Sequence, residues 1–496
     1  MVWLVARFGW FVTYAALVEG VVLLVFMGYV RYDTFYDVNK WNYTRQHGHS
    51  TPDLQTFYPI LQEVQVMVVL GFGFMMTFLR RYSHSGLTLN LLLTALTLQL
   101  AIITRGFFTT DRGFINLNIL SMVDASFTCG AVLVSVGAAL GKTSPTQLLL
   151  MSVLEVPVYH LNSHLGHHLL AAVDHGGSIF IHTFGAYFGV AFSRCVTRKV
   201  VHHHHHPNNT SSYTSNLFSM LGTLLLWVYW PSFNGVVESG RSQGRAVLNT
   251  YLALSGSTMG ALITSSLTHK RRKWRMVHVQ NATLAGGVAV GSVAGLMIQP
   301  WGALLLGYTA GSLSTLGYTH LQGWLLDRFG IHDTCGVHNL HGMPGLLSAL
   351  VSVGVALFAS ETNYGKELYL QYPMMVPAAN TSFQQDLDDL APGEGRTAGQ
   401  QALYQALATF ITLLLAVVFG GAVGFLLTFA PFDPLTQPRL YTDAPWWELP
   451  EDGEEEELIK EEVSNGGVRR IFNIQVGERG GGRGGGARLP SLRDGE

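Results

Sequence analysis

Twelve stretches of about twenty apolar residues dominate this chain, near positions 9–30, 59–79, 86–104, 114–140, 146–170, 177–193, 217–236, 246–268, 282–300, 302–321, 339–359 and 402–430. A bilayer core about 30 Å thick is crossed by about 17 to 25 helical residues, and the longer stretches can tilt or project beyond it. In lipid every backbone N–H and C=O must find its partner within the protein, which leaves helices as the reading for segments of this length. The predicted fold class is an all-α polytopic membrane protein with twelve transmembrane helices over residues 1–430. Composition agrees, with 48% hydrophobic and 12% charged residues. From residue 431 the chain turns Pro-rich, then acidic (EDGEEEELIKEE), then Arg/Gly-rich (ERGGGRGGGARLP). That composition builds no packed core. Residues 431–496 are expected to be a disordered cytoplasmic tail, open to cytoskeletal contact and not a nucleic-acid module.

The net charge of −2 sums this acidic tail against basic loops and identifies no partner. Three cysteines are too few for a disulfide framework, and Cys129, Cys195 and Cys335 read as small buried residues. The first apolar stretch follows Arg7 but is too long for a signal peptide and has no small-residue cleavage site, so it is expected to stay as a helix. Its Glu19 lies at membrane depth and is expected to face protein or a cavity.

Twelve crossings put both termini on one side. The basic run Lys270 to Arg275 (KRRKWR) makes that side cytoplasmic, helped by Arg80, Arg81, Arg194, Arg198 and Lys199. The sequons at Asn42 (NYT) and Asn380 (NTS) then fall in outside loops and are expected glycosylation acceptors. Asn208 and Asn209 would be inside and Asn281 at a helix start, so none of the three is expected to carry glycan. The run His202 to His206 is read as a solvated loop.

Two short stretches organise the apolar segments. DHGGSIFIH, from Asp174 to His182, recurs in outline as DTCGVHNLH, from Asp333 to His341. Both read Asp-x-x-Gly-x-x-x-x-His at the mouth of an apolar run. The Asp suits a helix N-cap, and a His eight residues on lies about 12 Å deeper at about 1.5 Å per residue. The copies fall in the sixth and eleventh segments, five apart, so they enter the membrane from opposite faces. An odd offset is what an inverted five-plus-five repeat requires, and such repeats place a substrate path near the midplane. His182 and His341 are therefore expected to converge. As neutral imidazoles each offers one donor and one acceptor; together they could line a path for a small hydrogen-bonding molecule, or relay protons.

These residues closely resemble the Rh glycoprotein branch of the ammonium transporter superfamily, most of all its non-erythroid type B form. DTCGVHNLHGMPG, GGSIFIHTFGAYFG, VHVQNATLAGGVAVG, GAALGKTSPTQLLLM and YWPSFN carry the likeness. The resemblance implies the ammonium transporter fold and a homotrimer with a narrow apolar pore in each subunit of a plasma-membrane protein. It also implies roles for residues: His182 and His341 as twin pore histidines, Phe127 and Phe233 as the gate with Asn234 beside it, and Asp174 as an acid near the outer end of the pore.

Two departures stand out. The family's Asn-Glu-Phe is here Asn162, Ser163 and His164, so an acid near the outer vestibule is missing. Its Asn-Ala-Asp-Phe is here DASF, with the acid moved two positions to Asp124 and Ser126 in its place, roughly a 200° rotation on a helix. In the same region His160, His164 and His168 recur every fourth residue, with His167 and His175 nearby. Histidines at that spacing share a helix face and can bind zinc, but no acid or cysteine joins them before Asp174, and neither a resident metal nor another cofactor is expected. The implied function is an ammonia channel that recruits ammonium and deprotonates it, takes methylammonium as an analogue, and could pass carbon dioxide. Two other classes stay open: a histidine-based divalent-metal transporter working through His160 to His168, and a non-transporting scaffold, against which both pore histidines argue. No nucleophile and base pair or phosphate loop points to an enzyme.

Overall fold

The computed structural model describes residues 7, 9–33, 36, 54–197, 206–379 and 390–449. The sequons at Asn42 and Asn380, His202 to His205 and the acidic and Arg/Gly-rich runs lie outside them. Among the described residues, twelve long helical segments follow the twelve apolar stretches. They are α1 (Trp10–Tyr29), α2 (Phe57–Phe78), α3 (Ser83–Phe108), α4 (Ile119–Ala139), α5 (Pro145–His164), α6 (Ser178–Val196), α7 (Tyr213–Gly235), α8 (Gly240–Thr268), α9 (278–293), α10 (300–329), α11 (His338–Leu357) and α12 (Ala398–Leu426). Eight of them are long and apolar enough to cross a membrane unaided. The other four, α5, α7, α9 and α10, are more polar or broken by π-helical turns. One element departs from an all-α reading: β1 (Val30–Tyr32) pairs in parallel with β2 (Ile115–Leu117), tying the end of α1 to the start of α4.

Helix starts follow their capping residues. Ser144 accepts from Gln147 N ahead of Pro145, and Thr397 accepts from Gln400 N at the head of α12, both capping boxes. Burial sorts the helices into layers. In α4 and α6 78% of the apolar window is buried, against 17% in α1 and 28% in α12. The former pair forms the centre, and the latter turn residues such as Leu24, Met27 and Phe410 outward, where lipid can cover them.

Small residues let the central helices touch backbone to backbone, as in membrane bundles generally. A Cβ at Gly185 of α6 would stand 2.5 Å from the Ala131 carbonyl of α4, and one at Gly307 of α10 would stand 1.9 Å from the Ala253 carbonyl of α8. Neither position admits a side chain without parting the helices.

Among the described residues the chain stays in one compact unit as far as Pro445. Two side chains hold the segment beyond residue 430: Tyr441 is fully buried with its N–H on the Gly141 carbonyl, and Asp443 accepts from His84 N and Ser85 N at the head of α3. A stretch poor in aliphatic residues reads as tail, yet one buried aromatic ring and one capping carboxylate are enough to fasten it.

Candidate functional site

The two Asp-x-x-Gly-x-x-x-x-His stretches do the same structural work. Asp174 Oδ2 accepts from Ile179 N at 2.9 Å and Phe180 N at 2.8 Å, and its Oδ1 accepts from Ser292 Oγ at 2.6 Å. Asp333 accepts from Gly336 N, Val337 N and His338 N, all at 2.9 to 3.0 Å. Each carboxylate thus gathers otherwise orphaned donors at a helix start. Each glycine takes a left-handed turn, Gly177 at φ 67° and Gly336 at φ 74°. Both histidines then fall in short π-helical turns, His182 in Ser178–Thr183 and His341 in His338–Gly342. Such turns are frequent at functional sites because they displace side chains from the regular helical register.

The two rings meet. His182 Nδ1 lies 3.1 Å from His341 Nδ1, with ring centroids 5.1 Å apart and planes within 15°. Both residues are almost wholly buried. At that distance one Nδ1 donates and the other accepts, which fixes opposite tautomers on the two rings. One Nε2 is then a donor and the other an acceptor. His182 Nε2 has no hydrogen-bond partner among the described residues.

A cavity opens on each side of this pair. One of 650 Å³ is lined by His341, Val337, Phe72, Asn209, His332 and Asp333. The other, of 550 Å³, is lined by Phe127, Ile181, Asp174, Asp124, Ser163 and the vestibule histidines. Because Asp174 and Asp333 lie in different cavities, the two copies of the motif approach the histidine pair from opposite sides. Phe127 and Phe233 stand edge to face at 4.7 Å on the Asp174 side, and Phe233 is 5.9 Å from His182. Asn234 is fully buried and donates to Thr250 Oγ1 and the Gly287 carbonyl, so it braces α7 against α8 and α9.

Sequence reasoning missed the flanking rings. Trp230 of α7 stacks on His182 at 5.7 Å and Phe72 of α2 on His341 at 6.3 Å, giving a four-ring column between the cavities. The five-segment offset that relates α6 to α11 also relates α2 to α7, and applying it to those two segments was the available signal. Also unforeseen was Lys142, in the connection between α4 and α5. Its ammonium donates to Ser193 Oγ, the His332 carbonyl and His332 Nδ1 beside the Asp333 cavity. Burial pulls this group down to about 7, against the upward pull of Asp333.

The relocated acid has its own partners. Asp124 Oδ2 is 2.9 Å from Arg105 Nε and 3.7 Å from His160 Nε2, while Ser126 is fully buried and accepts from Gln65 Nε2. His160 is held by Thr104 Oγ1 and the Val156 carbonyl. His164 stacks on Phe108 and lies 4.9 Å from His168 ring to ring. His175 pairs with Glu238. Among the described residues no three His, Cys, Asp or Glu side chains converge in a geometry that would hold a metal ion.

Residues 21–432 match the Ammonium Transporter Family. The chain belongs to the ammonium transporter family. The ammonium transporter Rh type B of Sus scrofa is 42% identical over 440 residues, 88% of this chain and 92% of its own length. That of Xenopus tropicalis is 41% identical over 443 residues, with the same coverage. Among solved structures, Rh50 of Nitrosomonas europaea, described as one of the Rhesus protein family of channels, superposes with a TM-score of 0.69 at 31% identity, covering 85% of this chain and 98% of its own. Mep2 of Saccharomyces cerevisiae gives 0.55 at 18% identity over 75% and 87% of the two chains, a likeness of fold alone. Within the family this chain is an all-α, membrane-embedded transporter of the Rh type and not an enzyme.

Proposed function

We propose that this chain conducts ammonia along the path from the Asp174 cavity, past Phe127 and Phe233, through His182 and His341 to the Asp333 cavity. Ammonium is recruited at the Asp174 side and gives up its proton to water in that cavity before the gate, so that neutral ammonia enters the path. The observation that carries this reading is the Nδ1 to Nδ1 contact of 3.1 Å in a ring column between two cavities. One donor and one acceptor Nε2 match a molecule that is itself both donor and acceptor. Deprotonating an amine whose pKa lies about two units above ambient pH costs roughly 3 kcal/mol. Carrying the intact cation through an apolar constriction costs several kcal/mol after relaxation, and cation–π contact with the gate rings returns only about 0.5 to 2 kcal/mol. The neutral route is the lower one.

The Asp174 cavity is read as the outer vestibule of a plasma-membrane homotrimer with cytoplasmic termini. Asp124, offset by Arg105, is a weaker cation attractor there than a free carboxylate. The experiment that tests the function is uptake of methylammonium or ammonia by the unmodified chain in cells lacking their own ammonium transporters. Uptake no greater than in empty cells would overturn it.

Sidedness has a separate test. Asn42 should carry glycan, read as a loss of mobility shift in Asn42→Gln, whereas Asn208, Asn209 and Asn281 should not. The side chain of Asn281 is buried and donates to the Val277 carbonyl, and Asn209 Nδ2 lies 3.3 Å from His332 Nε2 beside the Asp333 cavity. Glycan on Asn208 or Asn209 would reverse the orientation.

A further inference from the structure

Glu155 is the buried acid that the conduction path does not use. It lies mid-way along α5 with none of its surface exposed. Its Oε1 is 2.5 Å from Ser135 Oγ of α4, and the same Oγ is 2.8 Å from the Gly185 carbonyl of α6. Oε2 has no hydrogen-bond partner, and no cationic side chain stands within ion-pair reach among the described residues. A serine hydroxyl has one proton, and a carbonyl can only accept. If Ser135 gave its proton to an ionised Glu155, the hydroxyl and the Gly185 carbonyl would face each other oxygen to oxygen with nothing between them. The carboxylate would also sit uncompensated in the membrane interior. Both difficulties vanish when the carboxyl carries the proton: Glu155 Oε1–H donates to Ser135 Oγ, whose hydroxyl donates to Gly185 O.

The end of this chain is one turn beyond His182. There α4 and α6 are in backbone contact, since a Cβ at Gly185 would meet the Ala131 carbonyl at 2.5 Å and one at Gly189 the Ser135 carbonyl at 2.6 Å. A hydrogen bond at that crossing fixes the rotation and height of α6 where it leaves its π-helical turn, and so fixes the ring of His182 against His341. We propose that Glu155 is held as a neutral carboxylic acid and is a positioning residue for the pore, acting through Ser135 on Gly185. The transport consequence rests on the proposed pore; the protonation state does not.

Two readouts on the full-length protein test this. In lipid at neutral pH, the infrared difference between the wild type and Glu155→Gln should contain the C=O stretch of a protonated carboxylic acid. Carboxylate bands in its place would overturn the proposal, whatever the protein transports. In uptake assays normalised to surface abundance, Glu155→Gln should keep wild-type flux and pH profile, because the amide N–H donates to Ser135 in place of the acid O–H. Glu155→Leu and Ser135→Ala should each fall at least about fivefold, the worth of roughly one hydrogen bond. Loss of transport in Glu155→Gln would mean that the proton itself moves and would overturn the positioning role. Wild-type flux in Ser135→Ala would overturn it equally, even if Glu155→Leu fails to reach the surface.

Discussion

Replacing either His182 or His341 with alanine is expected to lower ammonia or methylammonium flux by roughly tenfold to a hundredfold while leaving surface abundance largely intact. Among the described residues each ring supplies the only partner of the other's Nδ1, at 3.1 Å in an almost fully buried setting. His182→Ala leaves His341 Nδ1 unsatisfied and removes Trp230's stacking partner; His341→Ala does the converse and frees Phe72. A buried polar atom stripped of its partner costs about 1 to 3 kcal/mol, and each 1.36 kcal/mol or so on the barrier is about tenfold in rate. Both variants should still assemble, because the caps that start their helices, Asp174 and Asp333, are untouched. Unchanged flux in both would remove the pore assignment.

Asp174 should give the second large effect, and its two substitutions should separate two roles. Asp174→Ala strips partners from Ile179 N, Phe180 N and Ser292 Oγ at once. At about 1 to 3 kcal/mol for each buried orphan, the start of α6 should loosen and surface abundance should fall. Asp174→Asn is milder. Asparagine caps about as well as aspartate; its oxygen can take both backbone N–H groups while its amide turns to Ser292, whose hydroxyl rotates to accept. Folding and assembly should therefore survive. Flux per surface molecule should still drop, because the wall of the recruiting cavity loses a carboxylate and Asp124 is already paired with Arg105. A fully active, normally expressed Asp174→Asn protein would leave this residue as a cap alone.

Residues singled out by type and position also have neighbours that the sequence does not show. Asn234 follows Phe233, and its amide N–H groups donate to Thr250 Oγ1 and the Gly287 carbonyl. The regular spacing of His160, His164 and His168 suits a metal on paper. In the folded chain His160 is held by Thr104 and Val156, while His164 stacks on Phe108 and lies tilted against His168.

The sequence by itself determined the twelve apolar helical segments, the class of the fold and the convergence of His182 with His341. Those follow from one-dimensional physics: segment length against bilayer thickness, the need to pair backbone groups locally, and a motif repeated at an odd offset. Tertiary structure alone decided the rest. That Phe72 and Trp230 complete the ring column depends on where α2 and α7 cross α6 and α11. That Tyr441 and Asp443 fasten the segment beyond residue 430 depends on acceptor and donor groups 300 or more residues away in the chain. That Glu155 meets Ser135 and Gly185 depends on α4 and α6 closing to backbone contact. Contacts of this kind are set by distances between segments far apart in sequence, and neither composition nor periodicity carries those distances.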